Sequence, residues 1–103
     1  MKTDRIIADG RKIRVAVVGC GRIAEKHFEA IKAHDKDLLL VGVCDTDPDK
    51  LEKFAGLLGV PGYADIRVML KEVDIDLVVL CTPSGLHSAQ AQRCAHEGCH
   101  VMT

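Results

Sequence analysis

The sequence predicts an α/β domain, a parallel sheet with helices packed on its faces. Predominantly apolar runs, typical of buried strands in a parallel sheet, lie within residues 12–18, 38–44 and 76–81. Segments with apolar residues at helical spacing separate these runs. Because 48% of the 103 residues are hydrophobic, the chain has enough apolar material for one modest core. We therefore expect one domain of this kind.

The first strand stops at two glycines, and a helical period begins directly after them. Gly19 supplies a backbone torsion that a side chain would resist, and Gly21 lets a ligand approach the main chain. Ala24 replaces a third glycine where helix and strand pack closely. The free N–H groups of the first helical turn suit a pyrophosphate. The turn predicts dinucleotide binding, although glycines also end strands for structural reasons alone.

An acid, Asp45, stands at the end of the second predicted strand. In a βαβ unit an acid at this place accepts hydrogen bonds from the adenosine ribose hydroxyls. It also repels a 2′-phosphate, and neither Thr46 nor Asp47 offers a cation to offset this, so NAD is favoured over NADP. The alternative is a turn or cap residue before the next helix. Together the turn and the acid predict a Rossmann-like doubly wound parallel sheet.

The helices follow in order. The first carries one apolar stripe, in which His27 is interpreted as a packed core residue; the stripe contains Ile23, Ala24, His27, Phe28 and Ile31. The second begins at Pro48 with Asp47 as N-cap and ends at Gly59. Residues 60–63 form at most a short edge strand, and a third helix over residues 66–71 is capped by Asp65.

A second functional stretch, residues 82–87, follows the apolar run that ends at residue 81. We expect this run to lie beside the first strand, so residues 82–87 face the same crevice as the glycine turn. Thr82 and Ser84 offer hydroxyl or backbone groups to a cofactor, but Ser84 as the cap of the next helix is an equal alternative. His87 aligns with apolar positions of that helix, namely Ala91, Cys94 and Ala95, and is therefore also interpreted as a possible packing residue.

Composition argues against several partners. The net charge is −1, the pI is near 6.5 and 3% of residues are aromatic, so nucleic acid is not an expected partner. No apolar run reaches the ~20 residues that span a bilayer, and residues 1–10 lack the core of a signal peptide. We therefore expect no membrane association and a cytoplasmic location.

Five cysteines, an odd number placed mostly inside strand and helix patterns, are interpreted as reduced thiols used as small hydrophobes. A cluster of thiol and imidazole groups near residue 97 comprises Cys94, His96, Cys99 and His100. Strand alternation sends Cys99 and His100 to opposite faces, and no second Cys-x-x-Cys pair completes four ligands. We expect no metal site.

The two ends of the chain are expected to differ from the rest. Residues 1–11 carry charges without a period and predict a flexible lead-in, so the dinucleotide-binding domain covers residues 12–103. The last strand, over residues 99–103, has no covering helix and would leave an apolar edge exposed. We therefore expect a domain that is incomplete at its C-terminus, in other words a fragment.

From Ile13 to Thr103 the chain resembles the N-terminal cofactor domain of the Gfo/Idh/MocA oxidoreductases. Three stretches carry the resemblance: Val-Val-Gly-Cys-Gly-Arg-Ile-Ala from residue 17, Val-Cys-Asp from residue 43, and Cys-Thr-Pro-Ser-Gly-Leu-His from residue 81. The sequences of these stretches are most similar to those of bacterial UDP-N-acetylglucosaminuronate 3-dehydrogenases. The resemblance implies that Asp45 binds the adenosine ribose. It assigns the pyrophosphate to Gly19, Gly21, Arg22 and Ile23, and the nicotinamide ribose crevice to Thr82, Pro83, Ser84 and His87.

The resemblance also implies an activity, oxidation of the C3 hydroxyl of a nucleotide sugar with hydride transfer to NAD, in surface-sugar (lipopolysaccharide) biosynthesis. It implies a full-length homo-oligomer assembled through a second, substrate-binding α+β domain. A Glu-Lys-Pro motif, whose lysine assists proton removal, follows the last strand in the family and is absent here, so no catalytic residue is expected among these residues. Neither Lys53 nor Lys71 replaces that lysine. The chain alone should bind NAD without turnover.

Two other interpretations remain open. One is a stand-alone module that senses NAD or docks to a partner without catalysis. The other keeps the fold but binds no dinucleotide, with Gly19 and Gly21 as purely structural turns.

Overall fold

The structure is a computed structural model that describes residues 11–103. Within these residues it contains five strands, β1 Ile13–Val18, β2 Leu38–Cys44, β3 Gly62–Tyr63, β4 Leu77–Leu80 and β5 His100–Met102. The helices are α1 Arg22–Ala33, α2 Pro48–Leu58, α3 Ile66–Glu72 and α4 His87–His96, with a 3₁₀ turn over Ser84–Leu86. The predicted order of elements is confirmed. The first ten residues of the predicted lead-in lie outside the described part.

The sheet is parallel throughout, in the strand order β3-β2-β1-β4-β5. The chain therefore winds from β1 outward to β3, and then crosses to the other side of β1 to form β4 and β5. The prediction that the run ending at residue 81 lies beside the first strand is confirmed, because β4 pairs with β1 from Val15 opposite Leu77 to Val18 opposite Leu80. The winding reverses between β1 and β4, which opens a crevice at the carboxyl ends of these strands.

Helices cover both faces of the sheet, so the doubly wound fold is confirmed. Along β1, Val15 and Val17 pack into the core beneath α1 and α2, whereas Ala16 and Val18 pack into the core beneath α3 and α4. This alternation follows from the two-residue period of a strand. The first core includes aromatic rings of α1 and α2 with centroids 5.6 Å apart, those of Phe28 and Phe54. No helix within residues 11–103 combines the length and the apolar character needed to cross a membrane.

Side-chain caps begin two of the helices as predicted. At the start of α2, Asp47 Oδ1 accepts hydrogen bonds from the backbone N–H groups of Asp49 (3.0 Å) and Lys50 (3.4 Å). Asp65 Oδ1 accepts from the Arg67 N–H at 2.8 Å at the start of α3. Gly59 ends α2 with a φ of +66°, the left-handed conformation that favours glycine.

Three local predictions are wrong. Ile23 was expected in the apolar stripe of α1, but it is 63% exposed, because it points about 100° away from its buried neighbour Ala24. Ala95 was expected in the stripe of α4 and is exposed. Ser84 does not cap α4, since the 3₁₀ turn intervenes and Leu86 holds the N-cap position without a side-chain hydrogen bond. His27, which was interpreted as a packed core residue, is half-buried at the edge of the stripe.

An ion-pair network ties the amino ends of β1 and β4 together, at the opposite end of the sheet from the glycine turn. Asp76 is 0% exposed, and its carboxylate accepts from the Arg11 guanidinium at 2.6 and 3.0 Å. It also accepts from the backbone N–H of Arg14 at 2.8 Å and from Arg14 Nε at 3.2 Å. Arg11, expected in the flexible lead-in, is thus joined to the domain. A buried carboxylate needs such partners to remain charged.

Candidate cofactor-binding site

A cleft of about 640 Å³ lies at the carboxyl ends of β1, β2 and β4. It is built from the loops that follow these strands, the place where open α/β sheets bind ligands. Its walls also include the first turns of α2 and α3 and one residue of α4. The lining residues are Val18, Gly19, Cys20, Gly21, Cys44, Asp45, Thr46, Lys50, Ala64, Asp65, Ile66, Arg67, Cys81, Thr82, Pro83, Leu86 and Gln90.

Gly19 forms the sharp part of the turn after β1. Its φ is +94°, which confirms the prediction that it supplies a torsion a side chain would resist. A Cβ at this position would also lie 2.9 Å from both the carbonyl carbon and the carbonyl oxygen of Cys81. Two features therefore require glycine at position 19: the positive φ, and the close approach of the loops after β1 and β4.

Gly21 occupies the N-cap position of α1 and has an ordinary φ of −98°. A Cβ here would meet no heavy atom within 4 Å, so the structure leaves open space where the sequence predicts approach of a ligand. Within the part of the chain that the structure describes, no side chain caps α1, unlike α2 and α3, and the N–H groups of its first turn find no side-chain acceptor there. Arg22 and Ile23 contribute two of these groups but are exposed and do not line the cleft.

Asp45 reaches across from the end of β2 to the glycine turn. Its Oδ2 accepts from the backbone N–H of Cys20 at 2.7 Å, and its Oδ1 accepts from the N–H of Asp47 at 2.8 Å. The second bond is the turn contact that the sequence offered as an alternative, and the first is a contact that the sequence did not reveal. Each carboxylate oxygen keeps a further lone pair, so the group can still accept from two hydroxyls. Asp45 is half-buried and lines the cleft.

Two cations line the same side of the cleft, which the sequence analysis missed. Lys50 comes from the first turn of α2 and Arg67 from the first turn of α3. Arg67 is held by Asp65, with Nη2 at 2.9 Å from Oδ2, and this side-chain hydrogen bond raises the pKa of Arg67 and lowers that of Asp65. Lys50 lies one helical turn beyond the Asp47 cap, and is therefore separated in sequence from Asp45 and from Thr46 and Asp47, the two residues that directly follow it.

The loop after β4 forms the other side of the cleft. Thr82 and Pro83 line it, whereas Ser84 and His87 do not. His87 instead turns back, with Nε2 at 2.6 Å from the Thr82 carbonyl oxygen. Of the nine residues predicted to bind the cofactor, the structure gathers five in the cleft: Gly19, Gly21, Asp45, Thr82 and Pro83.

Three thiols, from Cys20, Cys44 and Cys81, form part of the cleft floor. Burial raises the pKa of Cys20 to about 11 and that of Cys44 to about 12, and it also raises the pKa of Cys81. All five cysteines are free thiols, as predicted. Such thiols stay protonated near neutral pH and act as small apolar groups. Within residues 11–103, no three His, Cys, Asp or Glu side chains are grouped so as to hold a metal ion.

This arrangement fits an extended dinucleotide. The uncapped N-terminus of α1, beside an open glycine, suits a pyrophosphate. An acid with spare lone pairs on one side, and the side chains of Thr82 and Gln90 on the other, suit its two ribosyl halves. Fold and site together define a Rossmann-type dinucleotide-binding domain.

The chain belongs to the Gfo/Idh/MocA oxidoreductase family. Residues 13–103 match the family model described as "Oxidoreductase family, NAD-binding Rossmann fold", which confirms both the resemblance and NAD as the cofactor.

Several of the known proteins with a similar domain are dehydrogenases. The WlbA dehydrogenase of Chromobacterium violaceum, solved with NADH and UDP-GlcNAcA, is 47% identical with a TM-score of 0.89 over 92% of this chain and 28% of that chain. WlbA of Bordetella pertussis, solved with the same ligands, is 43% identical with a TM-score of 0.86 over 88% and 28%. The D-glucoside 3-dehydrogenase of Escherichia coli K12 is 33% identical over 87% of this chain and 26% of its own length.

This chain therefore spans about a quarter of the length of these dehydrogenases. The similarity concerns the cofactor domain.

Proposed function

We propose that this chain is the NAD-binding domain of an oxidoreductase that oxidises a ring hydroxyl of a sugar or nucleotide sugar, with hydride transfer to NAD. The observation that carries the proposal is the cleft at the strand reversal, where Asp45 is fixed against an uncapped glycine turn. The substrate we propose is UDP-N-acetylglucosaminuronate, oxidised at C3. A role in surface-polysaccharide synthesis, a cytoplasmic location and a homo-oligomeric full-length protein belong to the same proposal.

The similarity to the two WlbA dehydrogenases supports this choice of substrate. Both were solved with NADH and UDP-GlcNAcA, and both are more than 40% identical to this chain in the cofactor domain. The Escherichia coli relative, named for action at the 3 position of a glucoside, is 33% identical. These identities favour a nucleotide sugar over a free glucoside.

The proposed roles follow the geometry of the cleft. The pyrophosphate lies over Gly19 and Gly21 and accepts from the first-turn N–H groups of Arg22 and Ile23. Asp45 accepts from the adenosine ribose hydroxyls with its two remaining lone pairs. The nicotinamide ribose lies against the loop over residues 82–87, where Thr82 and Pro83 line the cleft. The proposed roles of Ser84 and His87 in the same loop rest on the family resemblance alone.

These residues bind and orient, and none of them removes a proton from a sugar. Bound NAD accepts the hydride, and the hydroxyl must lose its proton to a base within hydrogen-bond distance. Among the described residues that line the cleft, Lys50 is the one lysine, and it lies on the side of Asp45, where the adenosine is placed. We therefore assign the base and the sugar-binding wall to protein outside residues 1–103, and expect binding without turnover from this chain.

Calorimetric titration of the chain with NAD, NADP and ADP tests the proposed binding site. We expect NAD to bind more tightly than NADP, and ADP to retain part of the affinity. If none of the three ligands binds, the interpretation in which both glycines are purely structural is favoured.

The proposed activity is tested on the protein from its natural source. Its intact mass should be several times 11.2 kDa, and it should reduce NAD when UDP-sugar acids are supplied. A natural mass equal to that of this chain, with NAD binding intact, would instead support the stand-alone NAD-sensing or interaction module.

A further inference from the structure

Gln90 lines the cofactor cleft from α4, but neither the glycine motif nor the 82–87 stretch includes it. Its side chain is half-buried. Gln90 Oε1 accepts a hydrogen bond from Thr82 Oγ1 at 2.5 Å. A carboxamide that accepts through its oxygen keeps both N–H donors of its nitrogen for another partner. Because Gln90 borders the cleft, a ligand bound there can accept from these donors.

Thr82 is itself held in place, so the direction of its hydroxyl is fixed. Its carbonyl oxygen meets His87 Nε2 at 2.6 Å. The preceding residue, Cys81, donates its N–H to the Val18 carbonyl oxygen at 2.7 Å and so continues the pairing of β4 with β1. The Thr82 methyl group packs on the glycine turn, since a Cβ built on Gly19 would lie 3.1 Å from Cγ2. A fixed hydroxyl in turn fixes the Gln90 carboxamide.

The position of Gln90 along the cleft indicates which part of the cofactor it meets. Asp45 follows β2 on one side of the glycine turn, and Gln90 lies beyond β4 on the other side. An extended dinucleotide with its adenosine ribose at Asp45 and its pyrophosphate at the turn places the nicotinamide riboside toward Gln90. That half carries hydroxyl and carboxamide oxygens, which accept from an amide N–H.

We propose that Gln90 is a cofactor-binding residue whose amide nitrogen donates to the nicotinamide riboside half of NAD, and that Thr82 is the positioning residue that orients it. The inference rests on the proposed NAD site. It places a hydrogen-bond donor of α4 at the nicotinamide end of the cleft, where the sequence predicted contacts only from the loop over residues 82–87. Loss of this donor should weaken NAD and leave ligands without the nicotinamide riboside unaffected.

The test compares NAD with ADP, which ends at the pyrophosphate, by calorimetry on the chain. Gln90→Ala should lower NAD affinity on the order of tenfold, the contribution of one hydrogen bond, with ADP affinity within about twofold. Gln90→Glu keeps an oxygen for Thr82 but loses the donor, so NAD affinity should fall at least as far. The matched control is Gln92→Ala, an exposed glutamine on the same helix, and it should change neither affinity.

The positioning role of Thr82 is tested by a pair of variants. Thr82→Ser keeps the hydroxyl and should retain the NAD affinity, whereas Thr82→Val keeps the shape and should lose about as much as Gln90→Ala. The double variant Thr82→Val/Gln90→Ala should lose little more than either single variant, because the two groups act together. Thermal unfolding of each variant shows whether the fold is retained.

Three results would overturn the inference. One is an unchanged NAD affinity in Gln90→Ala and Gln90→Glu, and another is an equal fall for NAD and ADP. The third is a Thr82→Val variant that binds NAD normally, which would remove the positioning role. If the wild-type chain binds neither NAD nor ADP, the proposed function fails, and this inference fails with it. If the wild-type chain binds both ligands but the Gln90 variants behave like the wild type, only the role of Gln90 is refuted.

Discussion

Replacing Asp45 with alanine should separate the contribution of this acid to folding from its contribution to cofactor choice. The change removes the acceptor of two backbone N–H groups, those of Cys20 and Asp47. The Cys20 group is buried, and an unsatisfied buried donor costs about 1–3 kcal/mol of unfolding free energy. At roughly 4–8 °C for each kcal/mol in a domain of this size, a cost of about 2 kcal/mol lowers the Tm by about 10 °C.

The effect on NAD follows from the two ribose hydroxyls. Hydrogen bonds to a charged group contribute about 1.5–3 kcal/mol each, so losing two costs at least about 3 kcal/mol. NAD affinity should therefore fall about 100-fold.

NADP should respond differently to the same change. It loses one ribose bond, but the variant also removes the repulsion between Asp45 and the 2′-phosphate, on the order of 1–2 kcal/mol for exposed groups. The positive charge of Lys50 remains in the cleft. NADP affinity should therefore change little, and the preference for NAD should shrink about 100-fold.

Calorimetry with NAD and NADP, alongside thermal unfolding, measures both effects. Asp45→Asn keeps an oxygen for the Cys20 N–H and should recover most of the Tm but not the NAD affinity. Asp35→Ala, at an exposed acid after α1, is the control and should change nothing. An Asp45→Ala variant that folds and binds NAD with wild-type affinity would refute the assignment of the ribose to this acid.

The remaining predictions concern the two glycines and the buried thiols. Gly21→Val should fold, since a Cβ there meets nothing within 4 Å, yet calorimetry should detect no NAD binding; normal binding would place the pyrophosphate elsewhere. Gly19→Ala should lower the urea midpoint of unfolding, because its Cβ would lie 2.9 Å from the Cys81 backbone at a φ of +94°; an unchanged midpoint would contradict this. Burial raises the pKa of Cys20 from 9.0 to about 11 and that of Cys44 to about 12. The folded chain keeps these protons where the unfolded chain loses them, so stability should fall as the pH rises above about 9. The urea midpoint should drop between pH 8 and pH 10, and by less in Cys44→Ala; equal drops would count against the thiols.

Features set by neighbouring residues could be predicted from the sequence. The caps Asp47 and Asp65 act on N–H groups two or three residues ahead, and the left-handed turns at Gly19 and Gly59 depend on their own torsions. The burial of whole strands follows from continuous apolar runs. The place of Asp45 in the cleft could be predicted for a different reason, because the end of a strand in a βαβ unit has a known place relative to the glycine turn. Its role toward the ribose stays a prediction.

Features that depend on distance through space were decided only by the tertiary structure. Lys50 and Arg67 begin different helices, and only the packing of those helices brings both into the cleft. The Thr82–Gln90 bond requires α4 to begin at residue 87, after a 3₁₀ turn that the helical period did not reveal. The sequence by itself therefore determined the fold, the glycine turn and the acid. The structure decided which polar groups surround them, because side chains far apart in sequence meet only when the sheet and its helices are assembled.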